Sequence, residues 1–242
     1  MISKSEIKLI TSLQQKKYRN KYGLFIAEGK KLIADLLNAG LKLQLLFSTE
    51  DLLELQIDYH IISEKELQKI SSLKHENGVL AVFEIPPNVD YNTSGLTVAL
   101  DAVRDPGNLG TIIRLCDWFG VSQLICSPDT VDCYNPKVIQ ATMGSIARVS
   151  VHYTHLISML KKTKLPVYAA VMDGGNVYSK ALPKDAILVM GNEANGISEE
   201  ILENIQHTIS IPNFSKNNSA ESLNVAAATG ILLSEFRRTI ER

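Results

Sequence analysis

Apolar residues recur every three or four positions through 5–17 and 30–39, with Leu9, Ile10 and Leu13 on one face of the first stretch. That rhythm predicts two amphipathic helices. Short apolar runs at 43–47 and 57–62 predict strands, and the unbroken run at 79–84 predicts another. Between them, Ser63 and Glu66 have the spacing of a capping box and open a helix through about residue 72. Residues 85–95, IPPNVDYNTSG, crowd two prolines, two asparagines, Asp, Ser and Gly together. The composition marks a linker at 86–95, dividing a small α/β domain (1–85) from a larger one (96–242).

Beyond the linker the pattern alternates. Apolar runs at 96–100, 123–126, 149–153, 167–171, 187–190 and 208–211 predict strands. Helical periodicity falls at 109–119, 136–143, 155–163, 198–205 and 222–238. Strands apolar on both faces and joined by helices predict an α/β fold, a mostly parallel sheet covered by helices on both faces. Ligands in such sheets bind at the carboxyl ends of strands, which directs attention to the loops after residues 100, 190 and 211.

Composition narrows the class. The chain of 242 residues is 45% hydrophobic and 21% charged, enough for packed cores. No apolar run is long enough for a membrane span, and the N-terminus lacks the apolar stretch of a secretory signal. Cys116, Cys126 and Cys133 form no CxxC pair, and no His/Cys cluster has metal-ligand spacing. A cytoplasmic protein without a metal is expected. The total charge of −1 is uneven: eight basic residues within 1–31 oppose only Glu6 and Glu28, a net +6. Lys16, Lys17, Arg19, Lys21 and Lys30 belong to this arm and are candidates for contact with a polyanion such as RNA. A solvated helix face would carry the same charges.

Three loops hold candidate chemistry. In DAVRDPGNLGTIIRLCDWFG (101–120), Pro106 and Gly107 predict a turn, and Asn108 can cap the next helix. Arg114 then lies one turn into that helix, with Gly110 and Thr111 on its own face. In LVMGNEANGIS (188–198), Gly191 and Gly196 let a ligand approach the backbone, and Ser198 can cap the helix predicted from 198. No Lys follows Gly196, so nucleotide-triphosphate hydrolysis is disfavoured, and no G-x-G-x-x-G is present for a dinucleotide. In residues 209–236, Ser222 and Asn224 fall in the first turn of a predicted helix, where exposed amides suit an anion. Taken singly, each loop also fits an ordinary role: a surface arginine, a solvated Glu193, a capped alanine-rich helix.

Taken together they resemble the three ordered motifs of the SpoU–TrmH branch of the SPOUT methyltransferases. The first is Asp105-Pro106-Gly107-Asn108-Leu109-Gly110 with Arg114; the second is Met190-Gly191-Asn192-Glu193-Ala194-Asn195-Gly196. The third is Ile209-Ser210-Ile211-Pro212, followed by Ser222-Leu223-Asn224-Val225-Ala226 after a longer polar stretch at 213–221. The resemblance covers about 95–242; residues 16–33 also resemble the small RNA-binding domain that precedes the catalytic domain in many members. It implies a C-terminal trefoil knot, a homodimer, and 2′-O-methylation of an RNA ribose with S-adenosylmethionine as cofactor. Ribosomal RNA is expected over transfer RNA; a non-catalytic RNA-binding or ribosome-assembly protein on the same scaffold is the other reading. By the same resemblance Gly191, Gly196, Ile211 and Leu223 bind the cofactor. Arg114 is the catalytic residue, supported by Asn108, Glu193, Ser222 and Asn224.

Overall fold

The computed structural model describes residues 2–52, 57–73, 77–87, 90–91, 94–215 and 222–238. Parts of the expected linker and most of the polar stretch at 213–221 lie outside the described residues. The chain divides into two compact units, Met1–Asn88 with Asp132–Arg148, and Val89–Val131 with Val149–Arg242.

The first unit is built on a mixed four-stranded sheet of order β1-β4-β2-β3, with β1 Leu24–Glu28, β2 Leu43–Ser48, β3 His60–Ile61 and β4 Val79–Glu84. Alternate side chains point to opposite faces. Ile26, Phe47, Leu80 and Val82 share a core with Ile10 of α1 (Lys4–Ser12), with Leu13 at its C-cap, and with Leu67 and Ile70 from α4 (Glu64–Ile70). The capping box at Ser63 and Glu66 is present: the Ser63 hydroxyl accepts from the Glu66 N–H, and the Glu66 carboxylate accepts from the Ser63 N–H. The single helix expected over 5–17 is two. α1 ends at Ser12, and α2 (Lys16–Tyr22) restarts after Gln15 takes an extended conformation. Strand β1 carries no alternation, being buried along nearly its whole length, and sequence periodicity missed it.

Residues 132–148 also depart from expectation. Their helix α6 (Pro136–Thr142) packs on β1 in the first unit, beside α3 (Lys30–Asn38), rather than covering the larger sheet. Phe25 of β1 is fully buried and meets the Tyr134 ring at 5.0 Å. Arg19, expected on the RNA-facing surface, is instead 2% exposed. Its Nε and Nη2 donate to the Asp132 carboxylate, and its Nη1 donates to the carbonyls of Leu13 and Gln14 at 2.8 and 3.0 Å. Arg19 is a structural pin. The helical spacing of KKYRNKY turns this one basic residue inward while its neighbours Lys16, Lys17 and Lys21 stay exposed.

The second unit carries a six-stranded sheet, parallel at every pairing, of order β10-β8-β9-β5-β6-β7. Its strands are β5 Leu96–Leu100, β6 Gln123–Cys126, β7 Ser150–Tyr153, β8 Val167–Asn176, β9 Ala186–Met190 and β10 His207–Ser210. Central strands β5 and β9 are buried at every residue, which explains their unbroken apolar runs. One face packs Ala99, Ile125, Ala169, Ile187 and Val189 against α7 (Leu156–Leu160) and α8 (Glu199–Leu202). The opposite rows are buried as well, on the side where α5 (Pro106–Trp118) packs on β6 and against α9 (Val225–Arg238). Strand β8 runs five residues past its expected end at 171, and Gly174 lets it lie close against its neighbour β10. A Cβ on Gly174 would lie 2.6 Å from the Ile209 backbone.

Candidate active site

Three loops at the carboxyl ends of β5, β9 and β10 meet in the second unit. The first begins with strain. Ala102, just past β5, has φ +54°, a left-handed conformation disfavoured for any residue with a Cβ. It is held there from both sides: its N–H donates to Ser127 Oγ at 2.8 Å, and its carbonyl accepts from Asn192 Nδ2 at 2.6 Å. The turn delivers Asp105 to the N-cap of α5, where its side chain accepts from the Asn108 N–H at 2.8 Å. Asp105 is therefore the cap, and Asn108, expected in that place, lies inside the first turn with its amide free for other partners. The helix starts earlier than expected, so Arg114 sits more than two turns in rather than one. Gly110 is buried and Thr111 exposed, so only Thr111 shares the outer face with Arg114.

The second loop closes on itself. The Asn192 N–H donates to the Gly196 carbonyl at 2.8 Å and the Gly196 N–H to the Asn192 carbonyl at 2.9 Å. Asn192 Oδ1 accepts from the N–H groups of Ala194 and Asn195 inside the hairpin. Gly196 has φ +68°, which a glycine adopts without cost. Gly191 is glycine for a different reason: a Cβ there would meet the Gly196 and Ile197 backbone at 2.2–2.3 Å. Ser198 occupies the N-cap of α8, but its side chain makes no capping bond; its N–H instead donates to the buried Asp101 carboxylate at 2.8 Å.

The third loop leads into α9, which begins at Val225 rather than at Ser222. Asn224 caps it, Oδ1 accepting from the N–H groups of Ala226 and Ala227 at 2.9 and 3.2 Å. Ser222 lies outside the helix, exposed, with no hydrogen bond to another described residue.

One chain of hydrogen bonds joins the three loops. With its oxygen committed to the α9 cap, Asn224 donates through Nδ2 to Asn108 Oδ1 at 2.8 Å. Asn108 must then donate through Nδ2, and it does, to Glu193 Oε1 at 2.9 Å. The polarity of both amides follows from these bonds. Glu193 also accepts from the N–H groups of Asp105 and Arg104, at 3.3 and 3.4 Å. Burial pushes its carboxyl up, but the Asn108 amide and the surrounding backbone N–H groups outweigh that and hold it below the ordinary carboxylate range. The stabilisation it lends is complete above the ordinary carboxylate value and is lost only as pH falls through the lowered one.

Beside this chain lies a cavity of about 610 Å³. Gly191, Glu193, Gly196, Ile211, Ser222, Leu223 and Asn224 line it; Asn108 and Arg114 do not. Met172, Ile209 and Val225 complete its apolar wall. Met172 escaped sequence reading because β8 was expected to end before it. Its signal is the adjoining DGGN, whose glycines keep the strand running past Val171. Arg114 stands exposed on α5, with no ion pair or hydrogen bond to another described residue. In the first unit Lys16, Lys17, Lys21 and Lys30 are exposed, and Lys30 pairs with Glu50.

Comparisons with known proteins agree on one family. Residues 95–234 match the model of the SpoU rRNA Methylase family, and residues 4–81 match the MRM3-like substrate binding domain. The 23S rRNA (guanosine(2553)-2'-O)-methyltransferase RlmP of Bacillus subtilis (strain 168) is 30% identical over 234 residues, 93% of each chain. A TrmH-family structure from Porphyromonas gingivalis superposes with a TM-score of 0.89 at 37% identity, covering 98% of this chain and 99% of the other. An AdoMet-bound rRNA methyltransferase from Sinorhizobium meliloti superposes with a TM-score of 0.85 at 31% identity, covering 98% and 97%. With its larger unit matched across all three loops, the chain belongs to the SpoU rRNA methylase family.

Proposed function

We infer that the protein transfers a methyl group from S-adenosylmethionine to a ribose 2′-hydroxyl of ribosomal RNA. The observation that carries this reading is the convergence of the three family loops: Asn108 of the first bonds both Glu193 of the second and Asn224 of the third, beside a cavity. That cavity suits the cofactor. Its volume is in the range of small-molecule sites, about 300–1,000 Å³. One side offers the backbone of 191–196 to polar groups, and the other offers Met172, Ile209, Ile211 and Leu223 to a flat base. When bound, S-adenosylmethionine supplies an electrophilic methyl carbon and a neutral leaving thioether.

The remaining work is positioning the 2′-hydroxyl and accommodating its charge as it attacks. Arg114 serves that charge as a donor and cation. It does not act as a base, because a guanidinium stays protonated in proteins. Glu193 is a poor base too, ionised below the usual range and already engaged by Asn108 and backbone donors; the proton leaves to water. Asn108, Glu193 and Asn224 fix the loops that frame the reaction, and Ser222 stands at the cavity rim to meet the nucleotide.

The same reading includes a trefoil knot in the second unit and a homodimer. Trp118 is 83% exposed on the outer face of α5, which also carries Gly107, Thr111 and Arg114. Ala227 and Ser234 are exposed on α9, which packs against α5. A large apolar ring near small residues suits a second copy of the chain. Sedimentation should give twice the chain mass, and a monomer at all concentrations would remove the dimer.

The activity has a direct chemical test. Alkali cleaves RNA through the free 2′-hydroxyl, so the modified position should resist it after incubation of unmodified ribosomal RNA with protein and cofactor. A methylated base with ordinary alkaline cleavage would refute the reading. A companion measurement concerns the cavity. Gly191→Val forces the loop open at the 2.2 Å contact and breaks the Asn192–Gly196 pair. Two backbone hydrogen bonds at about 1 kcal/mol each predict about 30-fold weaker S-adenosylmethionine binding by calorimetry. Unchanged affinity would place the cofactor elsewhere.

A further inference from the structure

Helix α2 combines features that charge alone does not explain. Its inner side is fixed by Arg19, whose guanidinium is spent on Asp132 and two carbonyls. Seven residues are too few for a helix to persist unaided, so this anchor holds the outer face in place. Beside that face half-buried Tyr18 and exposed Tyr22, four residues apart, stack with centroids 6.2 Å apart and planes within 13°. Lys17 Nζ lies 5.8 Å from the Tyr18 centroid and Lys21 Nζ 5.3 Å from that of Tyr22. Tyr22 is 44% exposed, and neither phenol hydroxyl bonds another described residue. The helix contains four basic residues and no acidic one.

We propose that the Tyr18–Tyr22 stack with Lys17 and Lys21 is a platform for unpaired nucleotides of the RNA substrate. The rings take the bases and the ammonium groups take the flanking phosphates. This rests on the reading of the protein as an RNA-modifying enzyme and adds where, and in what form, the RNA is held. An aromatic face accepts any base, but only one that is free of its own duplex stack. An unpaired segment supplies that base together with the negative charge the lysines complement; a protein partner offers no regular pairing of flat rings with phosphates. The arrangement is that of single-strand binding surfaces, in which cations track the backbone and aromatic rings stack the bases.

The test is fluorescence anisotropy of the full chain with a short uridine oligoribonucleotide and with an RNA duplex of equal length, each across a salt series. Tyr18→Leu/Tyr22→Leu keeps apolar bulk and helix but loses the stacking faces. It should weaken single-strand binding on the order of 10-fold or more. Its salt slope and duplex affinity should stay as in the wild type. Tyr22→Phe should bind normally, which separates ring from fold. Lys17→Gln/Lys21→Gln should instead flatten the slope by roughly one unit for each phosphate that goes unneutralised. If the wild type binds and methylates RNA while the Leu pair binds the single strand equally well, the platform is overturned and the enzyme stands. If the wild type binds neither RNA, both readings fail.

Discussion

Replacing Arg19 by alanine is expected to destabilise the first unit by about 3–5 kcal/mol, the usual cost of breaking a buried ion pair from one side. The guanidinium is 2% exposed and all its bonds are made within the unit. Alanine leaves the Asp132 carboxylate, 12% exposed, without its cation, and leaves the Leu13 and Gln14 carbonyls without donors. The Tyr134 N–H still donates to Asp132 at 3.1 Å, which places the loss nearer the lower figure. Arg19→Lys should recover little, since one ammonium cannot serve the carboxylate edge and two carbonyls together. Lys17→Ala, a few ångströms along the same helix but exposed, should change stability by no more than about 0.5 kcal/mol. Urea unfolding of the three variants decides the matter: equal midpoints for Arg19→Ala and Lys17→Ala would return Arg19 to the surface arm.

The same pin reshapes any truncation of the protein. Cys133, Val138, Ile139 and Ile146 are buried within the first unit. Cutting away residues 1–85 alone would expose them and strand Asp132. Sequence alternation placed the helix at 136 correctly, yet assigned it to the wrong sheet. Nothing in VDCYNPKVIQAT distinguishes which apolar surface its stripe will meet, because that depends on partners more than a hundred residues away. Arg19 failed for a related reason. Its charge reads as solvent-facing, and only the three-dimensional position of Asp132, 113 residues on, makes burial affordable.

Strand positions in the larger unit were legible because buried parallel strands are written as continuous apolar runs; β5, β6 and β9 lie within a residue of expectation. The site was legible as a set of loops and less so as a geometry. Asn108, Glu193 and Asn224 carry no local signal that they touch. Their bonding depends on Asp105 taking the cap of α5 and on Asn224 taking that of α9, which frees one amide and orients the other. Helix starts shift by a few residues when a proline at the first position and an acidic cap compete with a later asparagine, and here Asp105-Pro106 won.

Arg114→Ala is expected to lower the rate of methyl transfer on the order of 10²–10³-fold, the typical cost of removing one preorganised donor from a developing oxyanion. The residue faces solvent on α5. Ile112, Ile113 and Cys116 turn into the core, so the helical repeat leaves Arg114 outward, beside exposed Thr111. No carboxylate among the described residues pairs with it, so its charge remains available for substrate. Since it does not line the cavity, the variant should bind S-adenosylmethionine within about twofold of the wild type, a difference well under 1 kcal/mol. Arg114→Lys should stay impaired, because an ammonium lacks the planar fork that can hold a phosphate and the attacking oxygen together. Single-turnover rates at saturating RNA and cofactor separate these effects from binding. Turnover near wild type in Arg114→Ala would make it an ordinary surface arginine, and loss of cofactor binding in step with the rate would move it from the chemistry to the cavity.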